Sequence, residues 1–205
     1  MSRVLLLFGG RSAEHEVSCV SAVSAVDALS TKGHRVTAVG IDRDGGWHLA
    51  DMTQRPLRAE GPELVLEVPG GTLRTPEGGL RFDVVFPVLH GPYGEDGTVQ
   101  GLFEIAGMPF VGSGVLGSAL GMDKDVAKRL FRQAGIPVAP FEVLRRSDYL
   151  DDPGGVMSGV MELLGLPLFV KPAALGSSVG IGRAEDESGL KQAIEDALEH
   201  GDKLI

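Results

Sequence analysis

Two lysines stand where an ammonium gains little unless an anion is near. Lys171 closes a short apolar run, Leu168-Phe169-Val170, and is followed by Pro172 and a loop with glycines at 176, 180 and 182 around Ser177 and Ser178. Glycine lets a backbone approach a ligand closely and turn several N–H groups toward one anion. With a fixed ammonium and two hydroxyls added, the chemistry this loop favours is polyphosphate binding. A β-hairpin with a flexible tip is the commoner fate of a Gly/Ser loop, and that reading stays open. Lys124 lies in the first turn of an amphipathic helix read over Met122–Ala134. There the positive end of the helix dipole opposes it unless an anion is present.

Two further stretches gather polar groups at strand ends. Gly9-Gly10 breaks an apolar run, and Ser12 and Glu14 follow at the start of a helix. Glu14 reads equally as a ligand-binding carboxylate and as a side chain that complements the helix dipole. His90-Gly-Pro-Tyr-Gly-Glu-Asp-Gly97 places a histidine, two acids and three glycines after the run Phe82–Leu89. The alternative is a tight loop whose His and Asp cap a helix beginning near Thr98.

The elements needed to hold these groups are legible. Val4–Phe8 reads as a buried strand, followed by a helix through Val17, Val20, Ala25, Ala28 and Leu29 to Gly33, and by a second strand, Val36–Ile41. That β-α-β order implies a parallel sheet, in which ligands collect beyond the carboxyl ends of strands. Asp44-Gly45 signals a hairpin with Trp47–Leu49 as its return strand. Residues 51–80 are broken by Pro and Gly, which predicts one or two peripheral strands and no chemistry. Met108–Val111 reads as a short strand leading into Gly112-Ser-Gly-Val-Leu-Gly117. That glycine pattern comes late, after a short strand and without a suitably spaced acid, so it reads as close packing or a turn rather than a dinucleotide site. Gly135–Pro140 reads as a domain junction. A strand near Phe141–Leu144, a polar stretch Arg145–Gly155, helices near Val156–Leu164 and Asp186–His200, and a strand beginning at Lys203 follow.

Composition narrows the function classes. The 205 residues carry a net charge of −9 with no basic tract, which argues against nucleic acid as a partner. The single cysteine, Cys19, excludes an intramolecular disulfide and suits a reducing compartment. The apolar N-terminal run is too short for a signal sequence or membrane span, so a cytoplasmic protein without a membrane partner is expected. No Walker A pattern or zinc spacing occurs.

Taken together, Gly9-Gly-Arg-Ser-Ala-Glu-His-Glu-Val-Ser18, Leu89-His-Gly-Pro-Tyr-Gly-Glu-Asp-Gly-Thr98, Gly112-Ser-Gly with Met122-Asp-Lys124, and Val170-Lys-Pro with Gly-Ser-Ser-Val-Gly180 occur in one order and spacing. In this the chain resembles the D-alanine–D-alanine ligases of the ATP-grasp superfamily over essentially its whole length. The resemblance implies an α/β fold: an N-terminal parallel-sheet, Rossmann-like domain (pre-ATP-grasp) over residues 1–121, a linking helix and junction over 122–140, and the first α+β subdomain of an ATP-grasp fold over 141–205. It implies ATP and Mg²⁺ as cofactors, D-alanine as substrate and a homodimer.

By the same resemblance, Lys124 and Lys171 hold ATP phosphates, and the loop with Gly176, Ser177, Ser178, Val179 and Gly180 closes over them. Ser177 then sits among the substrate and the transferring phosphoryl group, Glu14 binds the ammonium of the first D-alanine, and His90 with the acids after it lines the second-substrate side. The family's metal-binding acids, γ-phosphate-facing arginine, adenine hinge and lid tyrosine find no match in these 205 residues. The chain alone is therefore expected to bind ATP poorly and not to turn over.

Overall fold

The computed structural model describes residues 1–75, 78–176 and 179–205. They form two compact units, Met1–Ala119 and Leu120–Ile205. In chain order the first contains β1 (Arg3–Gly9), α1 (His15–Thr31), β2 (Arg35–Ile41), β3 (Trp47–Leu49), β4 (Glu63–Glu67), β5 (Thr72–Thr75), β6 (Gly78–Leu80), β7 (Val84–Pro87) and α2 (Thr98–Ala106). Helix α3 (Val115–Met122) begins in it. Among the described residues no helix is long and apolar enough to cross a membrane.

One sheet runs through this unit in the order β6-β5-β4-β3-β2-β1-β7. Its centre is parallel, with Leu5 opposite Thr37 on one side and Val85 on the other. The remaining strands join antiparallel through the 42–46 hairpin turn and its successors. Residues 51–80 thus supply three strands where one or two were expected. Alternation along β1 buries both faces. Leu5 and Leu7 pack with Val39, Val99 and Phe103, while Leu6 and Phe8 pack with Cys19, Ala22 and Val26. Phe103 meets Phe110 with ring centroids 5.3 Å apart.

Several local expectations are corrected. Helix α1 buries Ser18, Cys19, Ala22 and Val26, so Val17 and Val20 lie off that stripe and are exposed. Burial pushes the Cys19 thiol pKa up to about 11, with the charge of Glu16 adding to it. Met108–Val111 makes only one parallel bridge, Phe110 to Val85, because Pro109 has no N–H to extend a ladder. The glycine-rich stretch read as a turn continues into α3, which buries none of its residues.

The second unit contains α4 (Lys124–Gln133), β8 (Leu144–Arg145), α5 (Arg146–Asp151), α6 (Pro153–Leu164), β9 (Leu168–Val170), β10 (Gly182–Ala184), α7 (Glu187–Leu198) and β11 (Lys203–Leu204). β9 pairs antiparallel with β10, and β8 with β11. Helix α7 buries Leu190, Ala193, Ile194, Ala197 and Leu198, one stripe at helical spacing, against Leu168, Val170, Ala184 and Leu204. The polar stretch 145–155 is helical, since Asp152 caps α6 through the Gly155 N–H at 2.9 Å with Pro153 behind it. In the amphipathic helix α4, Leu130 and Phe131 are exposed and Asp125 is the buried residue.

A charged clamp shapes the β2–β3 hairpin. Asp42 Oδ1 accepts the N–H groups of Asp44, Gly45 and Gly46, each at 2.8 Å. Its other oxygen lies 2.8 Å from His48 Nε2, and His48 Nδ1 lies 3.2 Å from the Gly61 carbonyl. With acceptors at both ring nitrogens, the imidazolium is the favoured form. The hydrogen bond to Asp42 raises the His48 pKa, with the Gly61 carbonyl and the charges of Asp42 and Glu63 acting the same way against burial. Asp42 is correspondingly held low by its bond to His48. The His48 contribution is therefore complete below the unfolded histidine pKa of about 6.5 and is lost as pH rises through the higher folded value. Urea midpoints of the chain should fall between pH 6 and pH 8, and His48→Gln should make that fall shallower than in the wild type.

Candidate functional site

In the first unit the polar groups gather at the carboxyl ends of β1 and β7. Gly9 and Gly10 both have positive φ, at 84° and 96°. A Cβ on Gly9 would lie 2.3 Å from the Ile41 carbonyl oxygen, so only glycine can leave β1 by this route. Two buried serines then bolt the first loop to the segment after β7. Ser18 Oγ accepts the Gly9 N–H at 2.7 Å and donates to the Val88 carbonyl at 2.5 Å. Ser12 Oγ accepts the Glu14 N–H at 3.1 Å and donates to the His90 carbonyl at 2.7 Å. His15, also buried, places Nδ1 2.8 Å from the Gly10 carbonyl.

Glu14 occupies the N-cap position of α1 without a side-chain capping bond. Its carboxylate lies against Gly91, where a Cβ would stand 2.6 Å from Oε2. Among the described residues no cation pairs with it. Beside it the loop after β7 organises itself: Glu95 accepts the Gly91 N–H at 2.7 Å, and Asp96 accepts those of Tyr93 and Thr98, each at 2.9 Å. Burial works to raise the Asp96 pKa, but these hydrogen bonds outweigh it and hold the carboxylate low. The two acids are thus committed to loop backbone, and His90 turns toward α1, with Nε2 3.2 Å from Ser21 Oγ. His90 and Trp47 line a mostly apolar cavity of about 170 Å³, beside which Arg11 stacks over Tyr93 at 5.2 Å.

In the second unit, Lys124 is the first residue of α4, after Asp123 caps the helix through the N–H groups of Asp125 and Val126. The Lys124 N–H donates to the Ala173 carbonyl at 2.8 Å, and its ammonium reaches the Leu175 carbonyl. Lys171 directly follows β9, its backbone paired both ways with Ile205 at 2.9 and 2.8 Å. Its ammonium lies 5.8 Å from the centre of the Phe169 ring. Burial, then the charge of Lys171, pushes the Lys124 pKa down, with Asp123 opposing. Asp123 and Asp125 are engaged elsewhere, by Lys203 and Arg129. Lys124 thus reaches the loop that Lys171 begins, and among the described residues neither ammonium has a carboxylate partner, an arrangement that suits a phosphate chain.

The loop between β9 and β10 contains Gly176 and Val179, joined by a 3.4 Å backbone contact, Val179 N to Gly176 O. Ser177 and Ser178 lie outside the described residues. Gly180 and Gly182 are required by close packing on protein: a Cβ would come within 2.7 Å of His200 and 2.6 Å of Ala193, respectively. Sequence reasoning missed the roles of Ser12, Ser18 and Lys203, because each acts on a partner distant in the chain. No three His, Cys, Asp or Glu side chains among the described residues gather to hold a metal ion.

The profile described as D-ala D-ala ligase N-terminus matches residues 3–113, and that described as D-ala D-ala ligase C-terminus matches residues 130–205. The chain belongs to the D-alanine–D-alanine ligase family. It is 44% identical to D-alanine–D-alanine ligase A of Chromobacterium violaceum, with 99% of this chain and 59% of that relative aligned. It is 40% identical to the D-alanine–D-alanine ligase of Streptomyces coelicolor at the same coverage of each. The D-alanine–D-alanine ligase structure from Coxiella burnetii superposes with a TM-score of 0.89 at 31% identity, over 100% of this chain and 62% of that one. The VanG D-Ala:D-Ser ligase from Enterococcus faecalis superposes at 0.81 and 35% identity, over 98% and 61%. This ligase-family chain thus spans about three fifths of the length of the relatives it matches.

Replacing Ser18 by Ala leaves the Gly9 N–H and the Val88 carbonyl buried without a partner. The expected cost is about 1–3 kcal/mol of stability, read as a lower urea midpoint at unchanged m-value.

Proposed function

We propose that this chain supplies the first-substrate and nucleotide-phosphate portions of a cytoplasmic ligase that joins two D-alanines for peptidoglycan synthesis at the expense of ATP. The observation that carries the reading is the pair Lys124 and Lys171 in a chain of this family: Lys124 reaches the Leu175 carbonyl of the glycine loop, Lys171 begins that loop, and both are half-buried and close enough for their charges to repel. Lys124 and Lys171 neutralise phosphate charge, and Gly176, Ser177, Ser178, Val179 and Gly180 form the loop over the phosphates. Glu14, without a cation of its own, receives the ammonium of the first D-alanine, and His90 stands on the substrate side. Ser177 acts among the substrate and the transferring group.

In the ligation the first D-alanine carboxylate takes the γ-phosphoryl group and releases ADP. The amine of the second then attacks the acyl carbon, loses a proton and expels phosphate. Positioning and charge neutralisation carry most of such a reaction. Mg²⁺ would further neutralise the phosphates, but among the described residues no set of side chains is fitted to hold it. The division proposed for the chain is 1–121, 122–140 and 141–205, and the assembly proposed is a homodimer. A D-serine acceptor is the second reading, favoured by the similarity to the VanG D-Ala:D-Ser ligase.

The test is ADP release by this chain completed with the C-terminal portion of the Chromobacterium violaceum relative. Release should depend on D-alanine and not on L-alanine. Lys171→Ala should raise KM for ATP about tenfold or more, since it removes a charge-assisted contact. Glu14→Gln should raise KM for D-alanine far more than KM for ATP. Equal rises would make Glu14 structural, and an unchanged KM for ATP in Lys171→Ala would remove the phosphate role.

A further inference from the structure

We propose that Lys128 is a third ammonium of the polyphosphate site, held in place by Phe141, so that the site extends one helical turn beyond Lys124. The proposal rests on the reading of Lys124 and Lys171 as polyphosphate ligands and enlarges that site.

Lys124, Lys128 and Arg132 recur every four residues along α4 and so share a face. The Lys128 ammonium lies 4.9 Å, and the Arg132 guanidinium 4.3 Å, from the centre of the Phe141 ring. Two cations are thus gathered on one aromatic ring supplied by the segment before β8. Among the described residues no acid pairs with either of them. Asp125, the acid of the first turn, is buried and paired with Arg129 and Lys203, and Asp123 is paired with Lys203.

Donor accounting points the same way. A lysine ammonium offers three N–H donors. Lys128, half-buried, meets one protein acceptor, the Ala139 carbonyl at the outer limit of 3.5 Å. Lys124 meets the Leu175 carbonyl, and Lys171 has no hydrogen-bond acceptor among the described residues. Burial, followed by the charges of Lys171 and Arg132, lowers the Lys128 pKa, so Lys128 lies within the field of the loop lysine. A charge merely solvated on an outer helix face would be neither half-buried nor pinned on a ring. An anion with several charged oxygens answers both the unmet donors and the repulsion.

The experiment is calorimetric titration of sodium tripolyphosphate into the 205-residue chain at low ionic strength. It compares the wild type with Lys128→Gln, Lys171→Gln, Phe141→Leu, Phe141→Tyr and Lys191→Gln. Lys191 is an exposed residue of α7 near Glu195 and controls for the loss of one positive charge. Lys128→Gln should weaken binding about tenfold and Phe141→Leu about threefold. Phe141→Tyr should restore the wild-type value, since it keeps the ring, and Lys191→Gln should change little. If Lys171→Gln weakens binding while Lys128→Gln behaves like Lys191→Gln, the loop site stands and the role of Lys128 is overturned. If neither exceeds the control, or the wild type binds no tripolyphosphate, the polyphosphate reading falls and this proposal with it.

Discussion

Burial of both faces of β1 leaves its backbone groups no water to bond, so its neighbours must satisfy them in register. Leu5 and Leu7 on one face and Leu6 and Phe8 on the other require helices on both sides, and β2 and β7 pair to either edge in parallel. A parallel strand cannot turn back through a tight hairpin. Its carboxyl end must release the chain into a loop. That necessity puts Gly9, Ser12, Glu14 and the segment from Val88 to Gly97 at one end of the sheet. The buried serines then convert proximity into fixed geometry. Each hydroxyl is both acceptor and donor, so the two loops cannot shift independently without stranding a buried polar group.

In the second unit burial builds the frame and charge marks the site. Its core places β9 and α7, and the end of β9 delivers Lys171 to the loop with its backbone tied to Ile205. The start of α4 delivers Lys124 to the same loop through the Ala173 and Leu175 carbonyls. The acids nearest to these lysines in sequence are drawn off by Lys203 and Arg129. The fold thus ties the acids of the first turn of α4 to other cations and leaves two lysines without a carboxylate partner among the described residues, in a chain whose net charge is −9.

Much of this was legible from residue types and spacing. The run Val4–Phe8, the helix ending at Gly33 and the parallel return at Val36–Ile41 could be read because apolar periodicity and a glycine stop are local signals. The strand ending in Lys171 was legible for the same reason. Periodicity located the helices but not their inward faces: α1 turns Val17 and Val20 outward, and in α4 Leu130 and Phe131 are exposed. The role of Asp96 as an acceptor for the N–H groups of its own loop was open in the sequence as a capping possibility. The bridges from Ser12 to His90 and from Ser18 to Val88 were not, since they span 78 and 70 positions and leave no trace in local pattern. Glycines 180 and 182 looked like loop formers. Their close approach is to His200 and Ala193, a tertiary reason that composition does not carry.

The only cysteine of the chain lies on the inner face of α1, 3% exposed, with its thiol raised to about 11. Thiolate is the reactive form, and here both its population and its access are suppressed. An alkylating reagent can therefore reach Cys19 only when α1, or the opposite wall of the cavity that Cys19 lines with Asp42 and Leu57, moves aside. The helix that carries Glu14 at its N-terminus thus contains an intrinsic recorder of opening around it, and its labelling rate would count those openings with no probe added to the molecule.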